Sequence, residues 1–247
     1  MGAYVLLFGV GLVAGALNVI AGGGSFLTLP ILIFLGLPPT VANGTNRVGI
    51  FLQNIAAVWG FNRHRVLDWR YVVWAAVPAT FGAAIGTWAA MAIGDEAFRR
   101  ILAFLMIAVT LWTLWDPLRR RKGFLEPGER PRVAPLAVGF FFVGIYGGFV
   151  QAGVGFLILA TTTLAGLDLV RGNAVKVLSV LIYTALSLGL FAWNGKVVWD
   201  LGLALAVGTV AGSQLGVRLA VLKGHAWIKG VVTVAVMVFA AKLLLMG

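Results

Sequence analysis

The sequence predicts an all-α transmembrane protein of two inverted-topology repeats, five helical elements each, with short glycine-broken helices near the bilayer midplane. Three observations predict it. Of 247 residues, 61% are hydrophobic and 11% charged, under half the ~25% charge of soluble domains. Helix is then the default, because unpaired backbone groups find no water in hydrocarbon. Second, the chain repeats itself at an offset of 130 residues, with identities at Gly9/Gly139, Gly23/Gly153, Phe26/Phe156, Gly36/Gly166, Leu37/Leu167, Asn43/Asn173, Trp69/Trp199, Gly82/Gly212 and Gly86/Gly216. Third, each half holds one apolar segment too short to span, preceded by a glycine-rich break.

In order, the apolar segments fall at about 3–20, 26–37, 47–61, 71–93 and 101–117, then at 134–150, 154–166, 177–193, 199–222 and 228–246. Segment 71–93 is long enough for a ~30 Å core at 1.5 Å per residue. Segments 26–37 and 154–166 are not. They follow Gly22-Gly-Gly-Ser25 and Gln151-Ala-Gly-Val-Gly155. Short, interrupted segments at matching places in two halves point to the binding site of a carrier. The alternative is one long helix kinked at each break. Pro38-Pro39 is expected to open a polar loop running to Arg47, with Asp168–Lys176 as its partner.

Charge sets the topology. If the first two segments enter and return, each half has odd parity and the halves are inverted. Of 19 Lys and Arg residues, all but Arg47, Arg99, Arg100, Lys196 and Lys242 then share one side, as the positive-inside rule requires. Fusing the first two segments makes the split nearly even. The chain therefore divides into a first repeat (1–117), a cytoplasmic linker (118–133) and a second repeat (134–247), with both termini outside. No basic region precedes the first segment, so residues 1–20 are expected to be a retained helix rather than a cleaved signal.

The net charge of +11 could suggest nucleic acid, but the basic residues lie between apolar segments, where lipid headgroups are the partners. The chain has no cysteine and 2 histidines. No metal site, cofactor, phosphate-cradling loop or nucleophile–base set can be read from it, so an enzyme is not expected. The sequence leaves a homo-oligomer open.

All eight acids lie in loops or at segment ends, and buried carboxylates are the usual mark of a cation path. Arg47 and Lys176 each open a helix after a polar loop. A cation is unfavourable at a helix N-terminus unless an anion binds there. Backbone N–H groups at the two breaks supply further donors. The expected substrate-binding set is therefore Gly23, Gly24, Ser25, Asn43, Thr45, Asn46 and Arg47 from the first half. Gln151, Gly153, Gly155, Asn173 and Lys176 come from the second. Gln53, Asn54, Tyr183 and Thr184 lie inside segments at equivalent positions, and Asn18 precedes the first break. They either line the path or join helices. Gly82, Gly86, Gly212 and Gly216 are expected to serve close helix packing.

Asn18-Val-Ile-Ala-Gly-Gly-Gly-Ser-Phe-Leu-Thr-Leu-Pro-Ile-Leu, Leu35-Gly-Leu-Pro-Pro and Ala42-Asn-Gly-Thr-Asn-Arg47 resemble the TauE/SafE family of membrane permeases. So do Gly147-Gly-Phe-Val-Gln-Ala-Gly-Val-Gly-Phe and Gly172-Asn-Ala-Val-Lys176. The family pattern often has Lys where this chain has Arg47. The resemblance implies a bacterial or archaeal inner-membrane, multi-pass secondary transporter exporting small anions, with sulfite or organosulfonates as the leading substrates. Small organic carboxylates, or an anion-selective channel, are the alternatives. A scaffold whose glycines serve packing alone is the remaining rival.

Overall fold

The computed structural model describes residues 1–20, 22–63, 68–115, 131–167 and 169–223. Nine helices are described: α1 (Gly2–Ile20), α2 (Ser25–Phe34), α3 (Pro39–Arg63), α4 (Trp69–Ala92), α5 (Asp95–Trp115), α6 (Val133–Phe149), α7 (Val154–Leu164), α8 (Leu169–Trp193) and α9 (Trp199–Lys223). Most of the predicted linker, the tenth segment, His64, Asp168 and His225 lie outside the described residues.

The short helices double back, and neither is the second half of a kinked helix. Leu27 and Ile31 of α2 face Val10, Val13 and Val5 of α1 across one apolar groove, so α2 returns along α1. Gly139 of α6 lies against Thr161 of α7 in the same sense. With 10 and 11 residues, each covers only ~15 Å. Both end alike. Gly36 (φ +96°) and Gly166 (φ +89°) adopt the left-handed conformation, and Leu37 and Leu167 donate back to Leu32 and Thr162. This is a Schellman ending, and glycine meets its positive φ without strain. The repeated Gly-Leu pair is the sequence mark of it.

The polar stretch after Pro39 is not a loop. Proline suits the first helical position, and Ala42 N–H donates to Pro38 O at 2.8 Å. From there α3 runs unbroken through Asn43 and Arg47, and α8 likewise includes Asn173 and Lys176. In hydrocarbon an open backbone costs more than poor helix propensity, so Asn, Gly and Thr stay helical.

First helices pack on fourth helices of the other half. Ideal Cβ atoms on Gly82 and Gly86 of α4 would sit 2.1 and 2.0 Å from Phe141 O and Ile145 O of α6. On Gly212 of α9 the distance is 1.9 Å to Leu12 O of α1. Only glycine permits this approach, as the spacing predicts. Successive contacts climb together (Ala79 with Gly144, Ala83 with Gly148; Phe8 with Gly208, Ala16 with Gly216), so both pairs are parallel. Helices α3 and α8 pack antiparallel in the centre: Arg47 lies over Phe191, while Gln53 shares a cavity with Val177.

Polarity is inverted relative to a soluble protein. Trp88, Phe81, Phe104 and Phe142 are exposed, as are Trp69, Trp193 and Trp199 at helix ends, an aromatic placement suited to membrane interfaces. Arg47, Asn43, Gln53, Gln151 and Lys176 are buried. Helices α1, α4 and α8 contain stretches long and apolar enough to cross a bilayer.

Candidate functional site: a polar cavity between the two helix breaks

The two breaks meet backbone to backbone. An ideal Cβ on Gly22 would lie 2.3 Å from Gly155 Cα, and one on Gly155 would lie 2.3 Å from Gly22 Cα. Each turn uses the left-handed region, Gly22 at φ +79° and Gly153 at φ +72°. Gln151 also sits there, at φ +61°, a conformation that costs a non-glycine residue about 1 kcal/mol or more and gathers at functional sites.

Beside this crossing lies a cavity of about 30 Å³, room for a water-sized occupant or two. Ser25, Gln151, Gly155 and Lys176 of the predicted set line it, joined by Asn18, Gln53 and Asn54. Ile50, Ala57 and Val180 form apolar wall. Neither role foreseen for the internal amides excludes the other: Asn18 Nδ2 donates to Gln53 Oε1 at 3.1 Å, and Gln151 Nε2 donates to Thr184 Oγ1 at 2.7 Å. Gln151 Oε1 has no partner among the described residues. The apolar wall was missed. Its trace is the spacing Ile50, Gln53, Asn54, Ala57 on one face of α3.

The structure places the rest of the predicted set outside the cavity lining. Gly24 N–H is not free, because Asn18 Oδ1 accepts from it at 2.7 Å. Gly23 and Gly153 shape the turns rather than line the cavity. Thr45 Oγ1 accepts from Val198 N–H at 3.0 Å, satisfying a donor just before α9. Asn46 Oδ1 accepts from Thr28 of α2 at 2.6 Å. Asn173 lies outside the cavity lining, its Oδ1 without a partner among the described residues.

Arg47 and Lys176 do not open their helices. Each sits inside its helix and reaches the C-terminal end of the other half's first helix. Arg47 Nη2 donates to Gly147 O (3.1 Å) and Gly148 O (2.5 Å) of α6, with Asn43 Nδ2 on Phe149 O at 2.7 Å. Lys176 Nζ donates to Val19 O of α1 at 3.4 Å. A cation is favourable there, since the last carbonyls are unpaired and the dipole is negative. The argument from helix N-termini is therefore replaced.

That capping is incomplete. Burying a charge costs several kcal/mol, and a helix dipole returns at most ~2 kcal/mol. Charge-assisted hydrogen bonds contribute ~1.5–3 kcal/mol, but among the described residues Lys176 has one, and it is long. No carboxylate reaches either cation among the described residues: Asp95 binds Thr40, Glu96 binds Arg99 and Arg100, Asp200 binds Tyr4, and Asp68 caps Arg70 N–H. The cavity thus presents an ammonium, amides and a hydroxyl, with no negative side chain among the described residues.

An apolar exterior around doubled-back helices and a central polar cavity defines a multi-pass membrane transport protein. The family follows from comparison: the sequence profile of the family described as Sulfite exporter TauE/SafE matches residues 7–243, and the chain belongs to that family. It is 31% identical over 243 residues to a Haemophilus influenzae protein named "Probable membrane transporter protein", covering 96% of this chain and 93% of that one. It is 31% identical over 241 residues to Escherichia coli K12 YfcA, which carries the same description, covering 97% and 88%. A Sinorhizobium relative, ORF9, so described too, is 28% identical over 242 residues, covering 96% and 91%. No solved structure matches. The family is one of transporters, not enzymes.

Proposed function

We propose that the chain is a secondary transporter of the bacterial or archaeal inner membrane that exports small anions, sulfite or organosulfonates first among them. It works by alternating access of two inverted repeats, and the anion binds in the cavity at Lys176. The observation that carries this reading is the Lys176 ammonium in a cavity that no acid lines among the described residues. A cation left partly unsatisfied in hydrocarbon favours a negative guest.

The helix directions support the inverted arrangement. If α1 enters the membrane and α2 returns, α9 must run with α1, α4 with α6, and α3 against α8, and each pair does so. Fusing α1 and α2 into one span would make α3 and α8 parallel. The short α2 and α7, meeting at Gly22 and Gly155, occupy the place where carriers of this kind hold their substrate. Export gains from an inside-negative potential, ~2.3 kcal/mol per charge per 100 mV.

The test is flux in proteoliposomes loaded in turn with sulfite, sulfate, thiosulfate, sulfoacetate or acetate. Counterflow of labelled sulfite driven by internal sulfite or sulfoacetate is the expected result. Electrodiffusive flux without counterflow replaces the carrier with a channel, and exchange confined to acetate moves the substrate to carboxylates.

A further inference from the structure

Shifting the cavity lining by the repeat offset exposes its mate. Ser25 maps onto Gly155 and Ile50 onto Val180, and all four line the one cavity, so it touches the midpoint of the repeat relation. The rest of the lining maps elsewhere. Gln53, Asn54, Ala57 and Val177 become Tyr183, Thr184, Ser187 and Arg47, and Asn18 becomes Gly148.

Those images form a second polar cluster. Arg47 Nη2 donates to Gly148 O at 2.5 Å. Gly148 O also lies 3.2 Å from Thr87 Oγ1, which donates to Ser187 Oγ at 2.8 Å. Tyr183 Oη lies 2.8 Å from where a Cβ on Gly147 would stand. From Arg47 to Gln53 the axial distance is about 9 Å at 1.5 Å per residue, so Arg47 is displaced along α3 from Gln53, and Gln151, bonded to Thr184, joins the cluster to the cavity.

The cluster is closed but not satisfied. Arg47 is 0% exposed, and its Nε and Nη1 and Asn46 Nδ2 have no partner among the described residues, nor does Asn43 Oδ1 one turn away. Groups buried this way call for an explanation. Among the described residues no carboxylate faces the Arg47 and Asn46 groups, which only donate. An oxyanion satisfies them and a metal cation does not.

We infer that Arg47 marks a second anion station, the repeat mate of the Lys176 cavity, closed in this conformation and opened as that cavity closes. This rests on the carrier reading above. A small oxyanion (a sulfonate, sulfite or similar anion) passes from Lys176 across Ser25 and Gly155 to Arg47, exchanging one partly satisfied cation for the other.

The chain has no cysteine, so single substitutions are clean probes. Ala57→Cys reports the cavity and Ser187→Cys its mate. Both are treated in oriented vesicles with a membrane-impermeant maleimide, with and without sulfoacetate. Labelling of the two from opposite faces is expected, each slowed by sulfoacetate. In an Arg47→Gln background the sulfoacetate concentration that protects Ser187→Cys rises about 10-fold or more, the loss of one charged hydrogen-bond donor. Tyr183→Phe serves as the milder second background should Arg47→Gln fail to fold, with the same direction expected. Ser187→Cys inert from both faces, or labelled from the same face as Ala57→Cys, overturns the station. Protection of Ala57→Cys without protection of Ser187→Cys overturns the station and leaves the carrier standing. Protection of neither overturns both.

Discussion

Gly155→Ala places one methyl group where two backbones cross. Its Cβ would lie 2.3 Å from Gly22 Cα. Unbonded carbons rest at ~3.5–4.0 Å, so the two turns must part by about 1 Å or more. Backbone meets backbone there, so no side-chain rotation relieves the contact. Overpacking of this kind costs ~1–3 kcal/mol, and alanine returns under ~1 kcal/mol through helix propensity. A net loss of about 1–2 kcal/mol is expected from these opposing terms. Transport should suffer more than stability, because Gly22 and Gly155 both line the cavity. The assay pairs thermal unfolding in detergent with sulfite counterflow, using Gly9→Ala as control, since nothing lies within 4 Å of a Cβ there. Gly155→Ala that unfolds at the wild-type temperature and exchanges at the wild-type rate would refute the meeting of the two breaks.

Three further outcomes are expected. Gly212→Leu pushes a side chain into Leu12 O, already 1.9 Å from an ideal Cβ. It should part α1 from α9, seen as loss of monodisperse protein on size exclusion, while Gly94→Ala, with open space around it, behaves as wild type. Gln151→Gly relieves the positive φ but breaks the bond to Thr184. Terms of ~1 kcal/mol oppose each other, so unfolding temperature stays near wild type while the KM for sulfite rises. Asp95→Ala removes the cap on Thr40, lowering stability by ~0.5–2 kcal/mol without shifting the KM.

Much of this architecture was legible because the repeat carries its own punctuation. Gly36-Leu37 and Gly166-Leu167 end the short helices in the same way, and the glycine breaks fall where the sequence places them. The polar run from Thr40 to Arg47 was misread because Asn, Gly and Thr favour turns in water. Here Asn43, Thr45 and Asn46 bond to Phe149, Val198 and Thr28, partners invisible to local pattern. The cations were found but their surroundings were not: Arg47 reaches a carbonyl 100 residues away and Lys176 one 157 away. Offset alone could not show that each caps the opposite half. The apolar wall of the cavity carried no chemical signal at all, since Ile50, Ala57 and Val180 look like any other helix-packing residues.

Sulfite counterflow by Lys176→Gln, set beside Lys176→Arg and wild type in the same liposomes, bears most directly on the anion site. Loss of the ammonium should cut exchange at subsaturating sulfite by about 10-fold or more, with the arginine variant retaining part of it. Wild-type exchange in the glutamine variant would contradict the account, because the positive charge in the cavity would then be irrelevant to what the protein carries.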